Sequence, residues 1–123
     1  MASDPEISSF IRATFRSIWA LELLLFLRKN GDRSWSHAEM VASLRGSDLV
    51  VVQSIEALTA AGLVLAEEGG SARYQPVSED LDAMVAGAGE MYARSPDAVR
   101  RMIVASAHGG LAAFADAFRL RKD

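Results

Sequence analysis

The residues of this chain whose types could carry out catalysis have no spacing that favours a reaction. The two histidines, His37 and His108, are far apart, and neither has an acidic neighbour at the spacing of a metal site. The glycine-rich segment EEGGSA at 67–72 lacks the GK[ST] ending of a phosphate-binding loop. GAGE at 87–90 lies within a helical pattern and follows no strand. The sequence therefore predicts no enzyme, no cofactor and no metal site.

The composition excludes several classes of protein. Half of the 123 residues are hydrophobic, which is enough for one core in one domain. There is no cysteine, so there is neither a disulfide framework nor a thiolate metal site. The apolar run LELLLFL at 21–27 is far shorter than the ~20 residues of a membrane span. The polar start MASDPEISS does not match a secretory signal, and we expect a cytoplasmic protein without membrane contact.

The charge is unusual for a protein that binds nucleic acid. The net charge is −3, whereas such domains are commonly basic. Residues 33–76 carry three arginines against five acids, a net charge of −2. Residues 96–123 carry a net charge of +2. Any basic surface must therefore come from arginines that are scattered along the chain.

The N-terminal part of the chain is predicted to be helical. Residues 6–29 contain neither glycine nor proline, and their apolar residues recur at helical spacing. This pattern predicts one long helix, or two helices with a break near Ser17. The helix is expected to end at KNGD, with Gly31 in a left-handed cap. RSW at 33–35 then predicts a strand of one or two residues.

Two shorter helices are predicted next. Ser36 and Glu39 have the three-residue spacing of a capping box, and Gly46 is expected to break the helix that they begin. Ser47 or Asp48 then caps a second helix. The core face of the second helix is expected to comprise Val51, Ile55 and Leu58, and its opposite face Leu49, Val50, Gln53, Glu56 and Ala60.

A hairpin and further helices complete the predicted order. Gly62 ends the second helix, and LVLAEEGGSARYQPV at 63–77 has the two extended runs and the Gly-Gly turn of a β-hairpin. Ser78 is expected to cap a helix in which Gly87 and Gly89 permit close packing. SPD at 95–97 begins another helix. After a break at 108–110, a last apolar stripe comprises Leu111, Phe114, Ala115 and Phe118.

The segment SWSHAEMVASLRGSDLVVVQSIEALTAAGLVLAEEGGSARYQPV at 34–77 resembles the winged helix-turn-helix superfamily, best matched by small bacterial MarR-, PadR- and ArsR-like regulators. Its most telling part is IEALTAAGLV, followed by the glycine-rich hairpin and RYQP. The positions that fix the wing in the superfamily are held here by Leu58, Gly62, Leu63 and Val64, with Tyr74 as the usual wing aromatic. The resemblance covers about a third of the chain and concerns shape more than function.

The resemblance implies a mostly α fold with a small β-hairpin wing in a single domain, 1–123. The winged-helix core would span 17–77, and helical extensions would span 1–16 and 78–123. We expect these extensions to form a homodimer, because the apolar stripes at 7–19 and 99–118 exceed what one small core needs.

The function that the resemblance implies is transcription regulation through duplex DNA. The outward part of the second helix would then meet base edges with Ser47, Leu49, Val50 and Gln53. Glutamine can pair with adenine, and apolar side chains can contact the thymine methyl group. Leu49 and Val50 have the alternative of completing the core at the start of the helix.

Phosphate contacts would come from outside that helix. The candidates are Arg33, His37, Arg45 and Arg73, joined by Arg12, Arg16 or the tail residues Arg119, Arg121 and Lys122. Glu67 and Glu68 are expected on the strand that faces Arg73. The alternative for each arginine is that its side chain is simply solvated or forms a surface ion pair. A dimer would double the number of contacts.

Two other uses of the same fold stay open. The second helix carries no lysine or arginine, so its apolar face could bind a partner protein, with Leu49, Val50, Gln53 and the acidic wing in contact and no DNA involved. A small-molecule effector could also occupy a pocket between the wing domain and the outer helices. Its lining would comprise Trp19, Phe15, Met84, Met91, Tyr92, Phe114 and Phe118, residues that equally suit a core or a dimer contact.

Overall fold

The computed structural model describes residues 3–106 of the chain. The helices are α1 (Asp4–Thr14), α2 (Ile18–Lys29), α3 (His37–Leu44), α4 (Asp48–Ala60), α5 (Glu79–Arg94) and α6, described over 96–106. Two strands, β1 (Val64–Ala66) and β2 (Ala72–Tyr74), form an antiparallel hairpin around a 3-10 turn at Glu68–Gly70. The described chain is mostly helical with a small hairpin, as predicted. Within it, no helix combines the length and apolar character needed to cross a bilayer.

The N-terminal apolar stretch forms two helices. Ser17 has an extended backbone, and its hydroxyl accepts the N–H of Ala20 at 3.3 Å, so the predicted break near this serine is confirmed. α2 ends at Asn30, whose side-chain amide donates to the carbonyl of Phe26 at 2.9 Å. The left-handed cap predicted at Gly31 is wrong, because Asn30 caps the helix and Gly31 keeps a negative φ.

α3 and α4 are separated by a tight turn. The capping box is confirmed, since the Ser36 hydroxyl accepts the N–H of Glu39 at 3.2 Å and the Glu39 carboxylate accepts the N–H of Ser36 at 2.9 Å. α3 ends at Arg45 in the left-handed conformation, with a φ of 55°. The break therefore falls one residue before the expected Gly46. Ser47 is the N-cap of α4.

The hairpin extends into a minimal third strand. β1 pairs with β2 in the register Val64–Tyr74, Leu65–Arg73 and Ala66–Ala72. On its other side Ala72 exchanges backbone hydrogen bonds with Trp35 at 2.8 and 2.9 Å, so the one-residue strand predicted within RSW is confirmed. Gly69 and Gly70 make the turn with φ angles of 81° and 90°, a conformation that suits glycine.

The hydrophobic core contains residues from the two outer helices, α1 and α6, as well as from the central elements. Ile7 and Ile11 of α1 are buried, as are Phe15 directly after α1 and Val99 and Ile103 of α6. These residues share one hydrophobic cluster with α2, α4 and α5. The expectation that the stripes at 7–19 and 99–118 exceed the needs of one core is therefore wrong for these positions, because a single chain buries them. The homodimer stays a prediction without that support.

Candidate functional site

α4 presents an apolar surface to solvent. Val51 and Leu58 are buried as predicted and Ile55 is partly so, while Ser54 also lies inside, which the apolar pattern did not indicate. On the outer side Leu49 is 62% exposed and Gln53 is also exposed. Leu49 therefore does not complete the core, whereas Val50 is half-buried.

Val52 adds to this surface, since it is 42% exposed on the flank of α4. The helical pattern assigned Val52 to neither the core face nor the opposite face of this helix. Glu56 and Ala60 complete the outer side, and both are exposed as expected. No lysine or arginine occurs in α4.

A groove runs between the start of α2 and one flank of α4. We call it the α2–α4 groove; its volume is about 320 Å³. It is lined by Arg16, Ser17, Trp19, Ala20, Val50, Gln53, Ser54 and Ala57. Trp19 is 36% exposed, so an indole face is open to whatever enters the groove. Of the four predicted recognition residues, Val50 and Gln53 thus line a groove, Leu49 lies exposed beside it, and the Ser47 hydroxyl caps α4.

His37 does not present a free imidazole. Its Nε2 is hydrogen-bonded to the Asp48 carboxylate at 2.9 Å, which links the starts of α3 and α4. Asp48 lies in the first turn of α4, where a negative charge is stabilised by the helix dipole. Its side chain is 83% exposed, so it adds negative potential where a phosphate would approach.

Arg33 is engaged by two groups of its own chain. Its guanidinium makes a two-pronged ion pair with Glu39, at 2.8 and 3.2 Å, and lies over the Trp35 ring at 3.5 Å from the centroid. The Arg33 hydrogen bonds, with help from the Ser36 N–H, lower the pKa of Glu39 to about 2. A phosphate would have to compete with this carboxylate for Arg33.

The other two arginines that were predicted to contact phosphate, unlike Arg33, make no ion pair within the described residues. Arg45 is exposed at the turn between α3 and α4 and makes no ion pair within residues 3–106. Arg73 is half-buried on β2, opposite Leu65, and its Nε is buried without a hydrogen-bond partner in the described chain. These two arginines are the cations nearest in sequence to α4 that no described carboxylate neutralises.

The tip of the hairpin is acidic. Glu67 and Glu68 were expected on the strand that faces Arg73, but β1 ends at Ala66 and both glutamates lie in the turn. The turn is closed by the N–H of Glu67, which donates to the carbonyl of Ser71 at 2.7 Å. Both carboxylates are therefore exposed at the end of the hairpin.

The described residues of the predicted effector pocket do not line one common cavity: Trp19, Tyr92 and Met84 line three different ones. Phe15 and Met91 are buried in the core, and Trp19 lines the α2–α4 groove. Tyr92 lies elsewhere and donates its hydroxyl hydrogen to Glu22 at 3.0 Å. Phe114 and Phe118 are outside the described residues, as are His108 and the tail cations Arg119, Arg121 and Lys122. Among residues 3–106, no three histidine or acidic side chains are placed to hold a metal.

No protein-family model, no curated protein and no solved structure matches this chain.

Proposed function

We propose that the chain is a winged-helix module. In this proposal α2, α3 and α4 form the helix-turn-helix part within residues 17–77, and β1 and β2 form the wing. Support comes from the order of the elements and from the bridge between Trp35 and Ala72, which adds a third strand to the hairpin. Leu58 near the end of α4, Leu63 and Val64 at the start of β1 are buried, which supports the resemblance.

We further propose that α4 binds a protein partner. The observation that carries this proposal is the exposure of Leu49 and Val52 on a helix without a single cation. DNA affinity depends largely on neutralised phosphates, and two of the four groups predicted for that role, Arg33 and His37, face carboxylates instead. An exposed apolar patch that is rimmed by polar residues is typical of a protein interaction site.

The charge around α4 indicates the kind of partner. Asp48 and Glu56 are exposed on the helix, and Glu67 and Glu68 are exposed on the hairpin. A contact segment with apolar side chains and flanking lysines or arginines complements this surface. An acidic or polyanionic segment would be repelled by it.

A second candidate is the transcriptional regulator that binds duplex DNA as a homodimer. Its support is the exposed Gln53 near the Ser47-capped start of α4, a position from which an amide can reach adenine. Arg45 and Arg73 would then supply the phosphate contacts.

One pair of variants separates the two candidates. Leu49→Glu places a charge on the exposed α4 surface, and Val104→Glu makes the same kind of change on exposed α6. With the purified chain as bait, a partner should be captured by the wild type and by Val104→Glu, and lost with Leu49→Glu. The same proteins, together with the variants Arg45→Ala and Arg73→Ala, are also incubated with a random library of DNA duplexes at low salt. Enrichment of one duplex, lost in the two arginine variants, would refute the protein-binding proposal and establish the second candidate.

A further inference from the structure

Three acids of the described chain are half-buried, and one of them lacks a cation. Glu39 forms an ion pair with Arg33, and Asp82 forms one with Arg28. Glu22 on α2 forms none within residues 3–106. A carboxylate that is partly withdrawn from water is costly unless a positive charge compensates it. Glu22 is therefore the half-buried acid that stands to gain a cationic partner.

The carboxylate of Glu22 is held in position by Tyr92 of α5. The tyrosine hydroxyl donates its hydrogen to Glu22 Oε1 at 3.0 Å. Arg100 of α6 donates to the oxygen of the same hydroxyl at 3.2 Å, and to the carboxylate of Asp97 at 3.4 Å. The guanidinium is thus bound to the tyrosine and to Asp97, and it makes no ion pair with Glu22. This arrangement fixes the Glu22 carboxylate but supplies it with no direct positive charge.

A groove between α2, α3 and α5 contains this carboxylate in its wall. We call it the Glu22 groove; its volume is about 330 Å³, at the small end of the range of ~300–1,000 Å³ that is usual for small-molecule sites. It is lined by Glu22, Leu25, Phe26, Ser43, Leu44 and Tyr92. The lining thus combines a single acid with aliphatic and aromatic side chains. An ammonium group is attracted both by a carboxylate and by the face of an aromatic ring, and an apolar stem suits the remaining wall.

We propose that the Glu22 groove binds a small organic cation, an ammonium group on a short apolar stem. Glu22 forms an ion pair with the ammonium group, and Leu25, Phe26 and Leu44 contact the stem. A metal ion is a poor match, because a single acid lines the groove and no three histidine or acidic side chains of residues 3–106 are placed to hold one. The groove contains no residue of α4, so the inference goes beyond the proposed function and holds whether α4 binds protein or DNA.

Titration of the isotope-labelled full-length chain with phenethylammonium, followed by NMR, tests the proposal. Phenethyl alcohol and hydrocinnamate are a neutral and an anionic probe of similar size. The ammonium probe should bind saturably, shift the backbone amide signals of Glu22, Leu44 and Tyr92, and bind about tenfold more tightly than the alcohol, as expected for one charge-assisted contact. The anionic probe should not bind. Equal affinities for the ammonium probe and the alcohol, or no binding of either, would overturn the proposal.

A pair of amide variants shows whether Glu22 is responsible. Glu22→Gln removes the charge, while its amide oxygen can still accept the Tyr92 hydrogen, so affinity for phenethylammonium should fall about tenfold with no loss in Tm. Glu90→Gln changes an exposed acid of α5 that lines a different groove, and it should bind as the wild type does. Unchanged affinity in Glu22→Gln would contradict the proposal. So would a lower Tm of that variant in the absence of probe, because the carboxylate would then serve the fold.

A lysine side chain of a protein carries the same ammonium group on an apolar stem, and a second probe separates this source from a free amine. The probe is a tripeptide with capped ends and one central lysine between two alanines. It should bind the wild type more weakly than phenethylammonium does, because a groove of this volume suits a compact molecule. Tighter binding of the tripeptide would overturn the assignment to a small organic cation, since the groove would then take a lysine of a partner protein.

Discussion

The hydroxyl of Tyr74 on β2 donates its hydrogen to the carboxylate of Asp82 on α5 at 2.5 Å. The same carboxylate oxygen accepts a hydrogen bond from Arg28 Nε at 3.1 Å, so three separate elements meet at one acid. Burial, with the hydrogen bond to Asp82, raises the pKa of Tyr74 well above its usual range. The hydrogen bonds from Tyr74 and Arg28 lower the pKa of Asp82. This cluster holds the hairpin against the ends of α2 and α5.

Removal of the Tyr74 hydroxyl should weaken this attachment. Tyr74→Phe keeps the ring but leaves Asp82 with a single partner. We expect a loss of about 1.5 kcal/mol in the free energy of unfolding, the low end for a hydrogen bond to a charged group, because the Asp82 side chain is 42% exposed. Urea denaturation followed by circular dichroism measures this loss. Tyr92→Phe is a matched control for the loss of a tyrosine–carboxylate hydrogen bond elsewhere, and hydrogen exchange in β1 and β2 should rise only in Tyr74→Phe.

The Arg33–Glu39 pair should make stability depend on pH in the acid range. The folded pKa of Glu39 is about 2 and its ordinary value is 4.5, so the unfolded chain binds the proton more readily between these values. This stabilisation is complete above pH 4.5 and is lost as the pH falls towards 2. Asp82, whose pKa is also lowered, contributes with the same sign.

The urea midpoint of the wild type should therefore fall between pH 5 and pH 2. In Glu39→Gln the slope of this fall should be smaller. Glu56→Gln changes an exposed acid that has no ion-pair partner in the described chain, and it should leave the slope as in the wild type. Equal slopes for Glu39→Gln and wild type would show that the ion pair does not persist in solution.

The packing of α1 on α5 depends on the absence of a side chain at Gly87. A Cβ at this position would overlap Cδ1 of Ile7. Gly87→Ala gains about 1 kcal/mol in helix propensity, which this overlap opposes. Ile7→Val removes the overlapping methyl group, so Gly87→Ala should be more favourable in that background, with a coupling of about 1 kcal/mol. A double-mutant cycle by urea denaturation measures the coupling, and additive effects would contradict this close packing.

Arg45 holds a backbone conformation that favours glycine. Its φ of 55° is left-handed, so Arg45→Gly should raise the free energy of unfolding by about 0.5–1 kcal/mol. Arg45→Val should lower it, because a β-branched side chain tolerates this conformation poorly. Thermal and urea unfolding of both variants test the prediction. Stabilisation by Arg45→Gly also separates folding from binding, because any loss of DNA affinity in this variant cannot come from unfolding.

Sequence reasoning recovered the elements that depend on contacts between near neighbours. Ser17, the Ser36–Glu39 capping box and the Gly69–Gly70 turn were all located correctly. Each depends on hydrogen bonds or φ angles within about four residues, and residue types report these directly. The cap predicted at Gly31 and the break predicted at Gly46 each lie one residue after the observed C-caps, Asn30 and Arg45. Asn30 uses its side-chain amide, and Arg45 takes a left-handed φ.

The sequence by itself determined the order of the helices, the serine N-caps of α2, α3 and α4, the hairpin and the lack of cations on α4, because these follow from local spacing and composition. Only the tertiary structure decided that Asp48 contacts His37, that Arg33 contacts Glu39 and Trp35, and that Trp19 lines a groove with Val50. It also buried Ile7, Ile11, Val99 and Ile103 within one chain, where the sequence had suggested a dimer. The reason is physical: charge pairing and burial depend on which distant residues meet, and periodicity along the chain carries no information about those partners.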